Sequence, residues 1–359
     1  MSDAKPKVLI FAPREEPKEE LERLERAGYA LAFGNPEWQL PRGAHENALI
    51  DAAREAVALM GTSIRHTPLT RRLMEASQRL RLIAKYTVGV DDVDVEAATE
   101  LGILVCHAPT EANCFGVAET TMTMLLAVLK KVRERDAMIR QGGWRAPELA
   151  TTFIGSRQSD GYQGITVGLV GLGRIGTRVA QLLAPWRVRL LACDPYIEPA
   201  RFLLAGAMPV DYETLLRQSD VVSFHVVLTK ETRYMLSDAQ FALMKPNALV
   251  INTARGKVIE EAALARALSS GRIHAAAIDA FEEEPLAADS PLRRLGDKVL
   301  MSPHAASFND DEGGELRPGI AWATRSVITA LSGRVPDNVY NREVIPRWRE
   351  RFGGASVTG

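Results

Sequence analysis

Short runs of consecutive apolar residues alternate with segments whose apolar positions recur every three or four residues, and the alternation covers most of the chain. An unbroken apolar run of four to six residues suits a strand covered on both faces, whereas the longer period suits a helix covered on one. In the N-terminal third, "KVLIFA", "AVALMG", "LRLIAKY" and "ILVCHA" read as buried strands. "EELERLERAG", "LTRRLMEAS" and "DVEAATELG" read as helices between them. Such alternation builds a parallel sheet with crossover helices.

The pattern changes after Pro109. Residues 116–143 read as one long helical stretch broken by paired glycines, with Met, Leu and Val positions suited to core or subunit contact. "SRQSDGYQG" is a polar connector. From Ile165 the alternation resumes with six strands, "ITVGLV", "VRLLAC", "VVSFHV", "NALVINT", "HAAAIDA" and "KVLMSP", as many as a full dinucleotide-binding sheet uses. A mostly helical segment containing "GIAWATRSVITALSG" follows. The expected fold class is α/β with two parallel-sheet domains, the second inserted into the first. Residues 1–111 plus 306–345 form one domain, 112–305 a Rossmann nucleotide-binding domain, and 346–359 an irregular tail. The cleft between the domains is the expected active site.

The stretch "TVGLVGLGRIGTRVA" opens that second region. Its Gly-x-Gly-x-x-Gly follows an apolar strand and opens a helix, the context in which the pattern carries meaning. Gly171 permits a tight turn, Gly173 lets backbone approach a pyrophosphate, and Gly176 lets helix pack on strand. Phosphates would sit on the positive end of the helix beginning near Arg174. Asp194 ends the next strand, near the spacing of about 20 residues at which an acid meets the ribose hydroxyls. A carboxylate there repels a 2'-phosphate, so NAD is expected over NADP.

Hydride transfer to a ketone also needs an electrophile at the oxygen and a proton donor, and an anionic substrate needs a cationic clamp. Three candidates follow strands of the second region. Arg255 follows "NALVINTA" and could pair with a carboxylate through two parallel hydrogen bonds. Glu284 lies in "DAFEEEP", and His304 in "MSPHAA". Histidine exchanges protons near neutral pH, and a glutamate on its other ring nitrogen would orient the ring and stabilise the charged form. Each also has a plainer reading: a loop arginine, a solvated acidic run, and a structural histidine such as His225, which also ends a strand.

Charge and cysteine usage narrow the function further. With 44 basic and 45 acidic side chains, the net charge of -1 gives no support for nucleic-acid or membrane-surface binding. Three cysteines, Cys106, Cys114 and Cys193, without a Cys-x-x-Cys, argue for a reducing compartment and against a zinc site. The N-terminus lacks a signal-peptide pattern, and no apolar run of about 20 residues is evident. The expectation is a cytoplasmic protein without metal.

Taken in order, "LRLIAKYTVGVDDVD", "GVAE", "GLVGLGRIG", "DVVSFHVVLTKETRYML", "NTARGKVI", "AIDAFEEEP" and "SPHAA" resemble the D-isomer-specific 2-hydroxyacid dehydrogenase family, in the style of D-3-phosphoglycerate dehydrogenases. The resemblance spans nearly the whole chain. It implies a flavodoxin-like substrate domain split around the Rossmann domain, and a homodimer through the latter with the long helix after Pro109 carrying much of the contact. It makes Arg255 the catalytic arginine, Glu284 the support of the histidine, and His304 the acid/base; Glu282 and Glu283 have no counterpart. Arg174 and Ile175 would meet the pyrophosphate, Asp194 the ribose, and Val226, Thr253, Ala254 and Asp279 the rest of the cofactor, the last three at its nicotinamide end. Amides around Val88, Gly89 and Val90 would receive the substrate carboxylate, and Asn113 would lie near the domain crossing.

The departures concern the substrate. Val227 stands where the family often has proline, "SPHAASFNDD" lacks the usual small-residue turn, and Arg65 and His66 could meet a second anion or face solvent. The expected reaction interconverts a 2-oxo acid and a D-2-hydroxy acid of phosphoglycerate, glycerate or glyoxylate type with NAD(H). The alternatives are a nucleotide-sensing corepressor on the same fold and a formate dehydrogenase, the latter opposed by Glu284 where such enzymes carry glutamine.

Overall fold

The apolar runs form two separate parallel sheets in the computed structural model, which describes residues 5–14, 16–39, 45–64, 66–308 and 316–358. The chain divides into two compact units, Met1–Asn113 with Asn309–Gly359, and Cys114–Phe308. Asn113 is therefore the last residue before the first crossover. Arg65 and residues 309–311 of the "SPHAASFNDD" stretch lie outside the described residues.

In the first unit, β1 (Lys7–Ala12), β2 (Ala30–Phe33), β3 (Ala56–Gly61), β4 (Leu82–Lys85) and β5 (Leu104–Cys106) are ordered β2-β1-β3-β4-β5 and run parallel. This is the flavodoxin order. The sequence pattern missed β2 because it is a four-residue edge strand, none of it fully buried. By contrast β3 and β4 are buried along their whole length, which is why their apolar runs are unbroken.

Helix Leu316–Leu331 packs across β3 and β4, and Gly319 lets it approach closely. A Cβ there would lie 2.0 Å from the Tyr86 carbonyl oxygen. The C-terminal segment corrects the expectation of an irregular tail. Residues Ile345–Phe352 are helical, Pro346 occupies the first turn where its missing N–H is harmless, and Trp348 is fully buried. The Trp348 indole donates to the Arg81 carbonyl at 3.0 Å, while Arg351 donates to the carbonyls of Gln78 and Leu101. Side chains that reach far across sequence order this segment, and no local pattern announces them.

The second unit holds β6 (Thr166–Val170), β7 (Arg189–Cys193), β8 (Met208–Pro209), β9 (Val221–Phe224), β10 (Leu249–Asn252), β11 (Ala275–Ile278) and β12 (Val299–Met301). Their order, β12-β11-β10-β9-β6-β7-β8, is the doubly wound nucleotide-binding order with one strand added. The added strand is β12; β8, a two-residue exposed edge, is too short to leave a sequence pattern. The switch point lies between β6 and β9, where crossovers leave the sheet in opposite directions.

The stretch expected as one helix is two, Glu111–Leu129 and Val132–Arg140. The break falls at Lys131, in the left-handed region at φ 50°, and not at the glycines. Lys130 and Lys131 turn there to donate to the carbonyls of Thr152 and Glu148. Helix Glu111–Leu129 is long and apolar enough, by length and composition, to cross a membrane, which the sequence reading had not found. Its apolar character has a local cause: Ala118, Met122, Met124 and Leu125 pack with Val167, Leu169, Val179 and Ile251 in the core of this unit.

At the end of β9, His225 bonds Ser223 Oγ through Nε2 at 3.0 Å. The residue keeps a partly exposed edge, but protein surrounds the imidazole and desolvation lowers its pKa to about 4. The folded state thus holds a neutral ring that the unfolded chain protonates near its ordinary value of 6.5. This contribution to stability is complete above that value and is lost as pH falls from 6.5 towards about 4.

Two stability measurements follow from these contacts. Trp348→Ala should lower unfolding free energy by about 3–5 kcal/mol in denaturant titration, through the lost transfer energy and the cavity left behind. Between pH 6.5 and 4 the wild type should lose about 1–3 kcal/mol that His225→Gln retains, read as a flatter melting-temperature profile for the variant.

Candidate active site

The glycine-rich loop leaves β6 with Gly171 at φ 91°, a region that favours glycine, and a Cβ there would lie 2.8 Å from the His225 carbonyl oxygen. A Cβ on Gly176 would lie 2.2 Å from the Gly171 carbonyl oxygen, so helix Arg174–Leu183 can pack this closely only with glycine. Gly173 differs. Its φ of -69° suits any residue, and a Cβ would meet nothing within 4 Å. The fold explains two of the three glycines internally and leaves open space over the third, at a helix start without a side-chain cap. A pyrophosphate needs that space and those amides.

Asp194, at the end of β7, accepts from the Leu172 amide at 2.8 Å and the Tyr196 amide at 3.0 Å. Its carboxylate is thereby held beside the glycine loop, and carboxylate oxygens retain lone pairs for ribose hydroxyls. Val226 stands against Gly171, its Cγ1 3.0 Å from the position of a Cβ there. Ile175 packs into the core, which leaves its main chain as the part available to phosphate. The residues present fit a dinucleotide.

Three neighbouring strands start the loops that carry the candidate side chains side by side. Asn252, Ile278 and Met301 are in register at the carboxyl ends of β10, β11 and β12. Arg255, Glu284 and His304 lie on the loops that leave there. Parallel strands stand about 4.8 Å apart, so these loops begin within about 10 Å of one another. Arg255 sits on a tight segment: buried Asn252 accepts from the Ala254 amide at 3.1 Å and donates to the Arg255 carbonyl at 2.9 Å. The next residue must be glycine, because a Cβ on Gly256 would come within 1.8 Å of the Phe281 carbonyl carbon. That contact sets the Arg255 loop directly against the loop carrying Glu284.

Glu284 accepts from His304 Nδ1 at 2.8 and 3.0 Å through its two oxygens, and from the Phe281 amide at 3.0 Å. A carboxylate accepts, so Nδ1 carries the hydrogen and Nε2 is the nitrogen that can exchange a proton with a substrate. His304 has φ 55°, a conformation that a non-glycine residue holds only when its surroundings impose it. Asp279 imposes it. Its buried carboxylate accepts the amides of Ala305 at 2.9 Å and Ala306 at 3.1 Å, fixing the chain just beyond the histidine. Asp279, expected to line the nicotinamide end, fixes the chain around His304.

The remaining acids separate by role. Glu282 accepts from the Glu261 amide at 2.5 Å and from the Tyr234 hydroxyl at 2.8 Å, so it caps helix Glu261–Ser269. Glu283 faces solvent. Thr253 meets Thr121 of the long helix at 2.8 Å, and Ala254 packs on the core. Sequence reasoning missed Asn252, the cap Glu282, and Thr121; a polar residue closing an otherwise apolar strand was the available signal for Asn252.

The loop holding Val88, Gly89 and Val90 belongs to the first unit and follows β4. Its base is pinned by Lys85 and Asp92, both buried, with Nζ 2.5 Å from Oδ2. Lys85 also donates to the Thr62 carbonyl, and Asp92 accepts the Ile64 amide. The three carbonyls are each engaged internally: Val88 by His107 Nδ1 at 3.1 Å, Gly89 by Thr87 Oγ1 at 2.9 Å, and Val90 by the Val93 amide at 2.9 Å. In a trans peptide the N–H points opposite to the C=O, so anchoring the Val88 and Gly89 carbonyls turns the Gly89 and Val90 amides the other way. Among the described residues these amides donate to no protein acceptor. That is what an anion-receiving loop requires. His66 is exposed, as are Val227 and Phe308.

Residues 122–306 match the family model described as D-isomer specific 2-hydroxyacid dehydrogenase, NAD binding domain. The chain is 35% identical to a glyoxylate reductase of Thermococcus litoralis, over 95% of this chain and 98% of that one. It is 34% identical to a D-3-phosphoglycerate dehydrogenase of Methanocaldococcus jannaschii, over 97% of this chain and 61% of that protein. The crystal structure of a glyoxylate reductase from Paecilomyes thermophila superposes with a TM-score of 0.75 at 26% identity, covering 92% of this chain and 96% of that one. With the glycine loop, the acid beside it and the paired histidine and glutamate in place, this chain belongs to the D-isomer specific 2-hydroxyacid dehydrogenase family, NAD(H)-dependent oxidoreductases acting on a CH–OH group.

Proposed function

We propose that the chain reduces a small 2-oxo acid of glyoxylate or hydroxypyruvate type to the corresponding D-2-hydroxy acid, and catalyses the reverse oxidation. The observation that carries this reading is the bond from His304 Nδ1 to Glu284, which puts the ring hydrogen on Nδ1 and supports Nε2 as the proton-exchanging nitrogen. NAD(H), when bound, supplies or accepts the hydride at substrate C2. His304 Nε2 gives its proton to the C2 oxygen in reduction and takes it from the hydroxyl in oxidation. Glu284 stabilises the imidazolium that the cycle passes through. Arg255 holds the carboxylate and polarises the carbonyl, and the amides of Val88, Gly89 and Val90 receive the carboxylate. Glyoxylate reductases matched over nearly their whole length support a compact substrate.

The protein acts in this reading as a cytoplasmic homodimer joined through the nucleotide-binding unit. Cys106 and Cys193 form no disulfide, as a reducing compartment keeps them. Val132, Ile139, Trp144 and Phe153 expose large apolar surfaces on the helix and connector of that unit, as an interface between copies would need.

His304→Ala should lower kcat by about 10²–10⁴ while NADH still binds with wild-type affinity by fluorescence titration, and Glu284→Gln should lower kcat by about tenfold or more. Undiminished turnover in His304→Ala would overturn the role. With NADH, kcat/KM should be highest for glyoxylate or hydroxypyruvate in a panel including 3-phosphohydroxypyruvate and larger 2-oxo acids. A preference for the larger acids would reject the compact substrate, and binding without turnover of any would favour a sensor. Sedimentation should give a dimer that Ile139→Glu combined with Val132→Glu converts to monomer.

A further inference from the structure

The carboxylate-receiving loop is completed by a residue outside it. His107 follows β5 directly, and β5 lies beside β4, so its ring reaches across one strand spacing to the Val88 carbonyl. The acceptor is a carbonyl oxygen, so Nδ1 carries the hydrogen. The backbone of His107 is held on both sides by Asn338: its amide donates to the Asn338 carbonyl at 3.2 Å, and Asn338 Nδ2 donates to the His107 carbonyl at 2.6 Å. Ser326 fixes the Asn338 side chain at 2.8 Å, and Tyr340 stands edge-on to the imidazole with ring centroids 5.4 Å apart. Two distant stretches of the first unit thus aim one N–H at one carbonyl.

The geometry points to His107 as a positioning residue for substrate binding, acting through the Val88–Gly89 peptide. Its hydrogen bond fixes the plane of that peptide and so the direction of the Gly89 N–H. It also draws electron density towards the Val88 oxygen, and a peptide polarised at its carbonyl is a stronger donor at its amide. The donor that meets the substrate carboxylate is therefore both oriented and strengthened from behind. The inference rests on the proposed reading that this loop receives the carboxylate.

The test compares His107→Leu, which removes the donor, with His107→Asn, whose side-chain N–H₂ can occupy the place of Nδ1. His107→Leu should raise KM for the preferred 2-oxo acid and Ki for oxamate together by about tenfold, the worth of one hydrogen bond. Its kcat should stay within about threefold of wild type and its NADH affinity should not change. His107→Asn should recover most of the loss. Gly89→Pro, which deletes the amide, against Gly89→Ala, which keeps it, separates the two levels of the claim. If Gly89→Pro raises oxamate Ki while His107→Leu does not, the loop reading stands and the role of His107 is wrong. If neither changes Ki, both fall. A His107→Leu that loses kcat and melting temperature with Ki unchanged marks a merely structural residue and also rejects the proposal.

Discussion

Parallel strands all release the chain at the same edge of their sheet, and that constraint governs the chemistry of the second unit. β10, β11 and β12 end in register, so three loops that are remote in sequence must begin side by side. Proximity alone leaves side chains free to point anywhere. Orientation comes from buried polar groups one layer down: Asn252 brackets the Arg255 segment, Gly256 admits the neighbouring loop, and Asp279 holds the two amides beyond His304. The left-handed backbone of His304 is thus maintained by a carboxylate that is itself fully paired, and a buried charge is tolerated on those terms.

The same device recurs in the first unit with main-chain groups. Three consecutive carbonyls are satisfied inwards, and peptide planarity then turns two amides outwards. In the proposed role no side chain of the loop need touch a ligand, and "TVGV" looks like an ordinary strand exit. In the proposed reading an anion meets N–H groups in both units, at a helix start over Gly173 and at the turn after β4. Neither relies on the net charge of the chain, which is close to zero.

Some residues near the candidate site have structural work that the family resemblance does not assign. Asp279, expected along the nicotinamide end, spends both oxygens on the histidine loop. Glu282, set aside as an unmatched member of an acidic run, caps a helix and anchors the segment leading to Glu284. Three adjacent glutamates therefore divide into a cap, a solvated residue and the partner of His304. Identical side chains in sequence acquire different roles because successive residues of a turn face different surroundings.

What the chain determined by itself was whatever depends on local pattern. Long buried strands, the glycine turn after β6 and the ordered motifs ending in Arg255, Glu284 and His304 were legible because solvent exclusion and backbone sterics act over a few residues. The half-buried edge strand β2, the two-residue β8, the break at Lys131 and the helix around Trp348 were not, since each is fixed by contacts across the fold. The same division runs through the candidate site: sequence supplied the candidate groups, and tertiary structure chose the His304 tautomer, the backbone conformation and the supporting partners. A hydrogen bond between residues distant in sequence has no periodicity to betray it, and only the folded chain brings its two ends together.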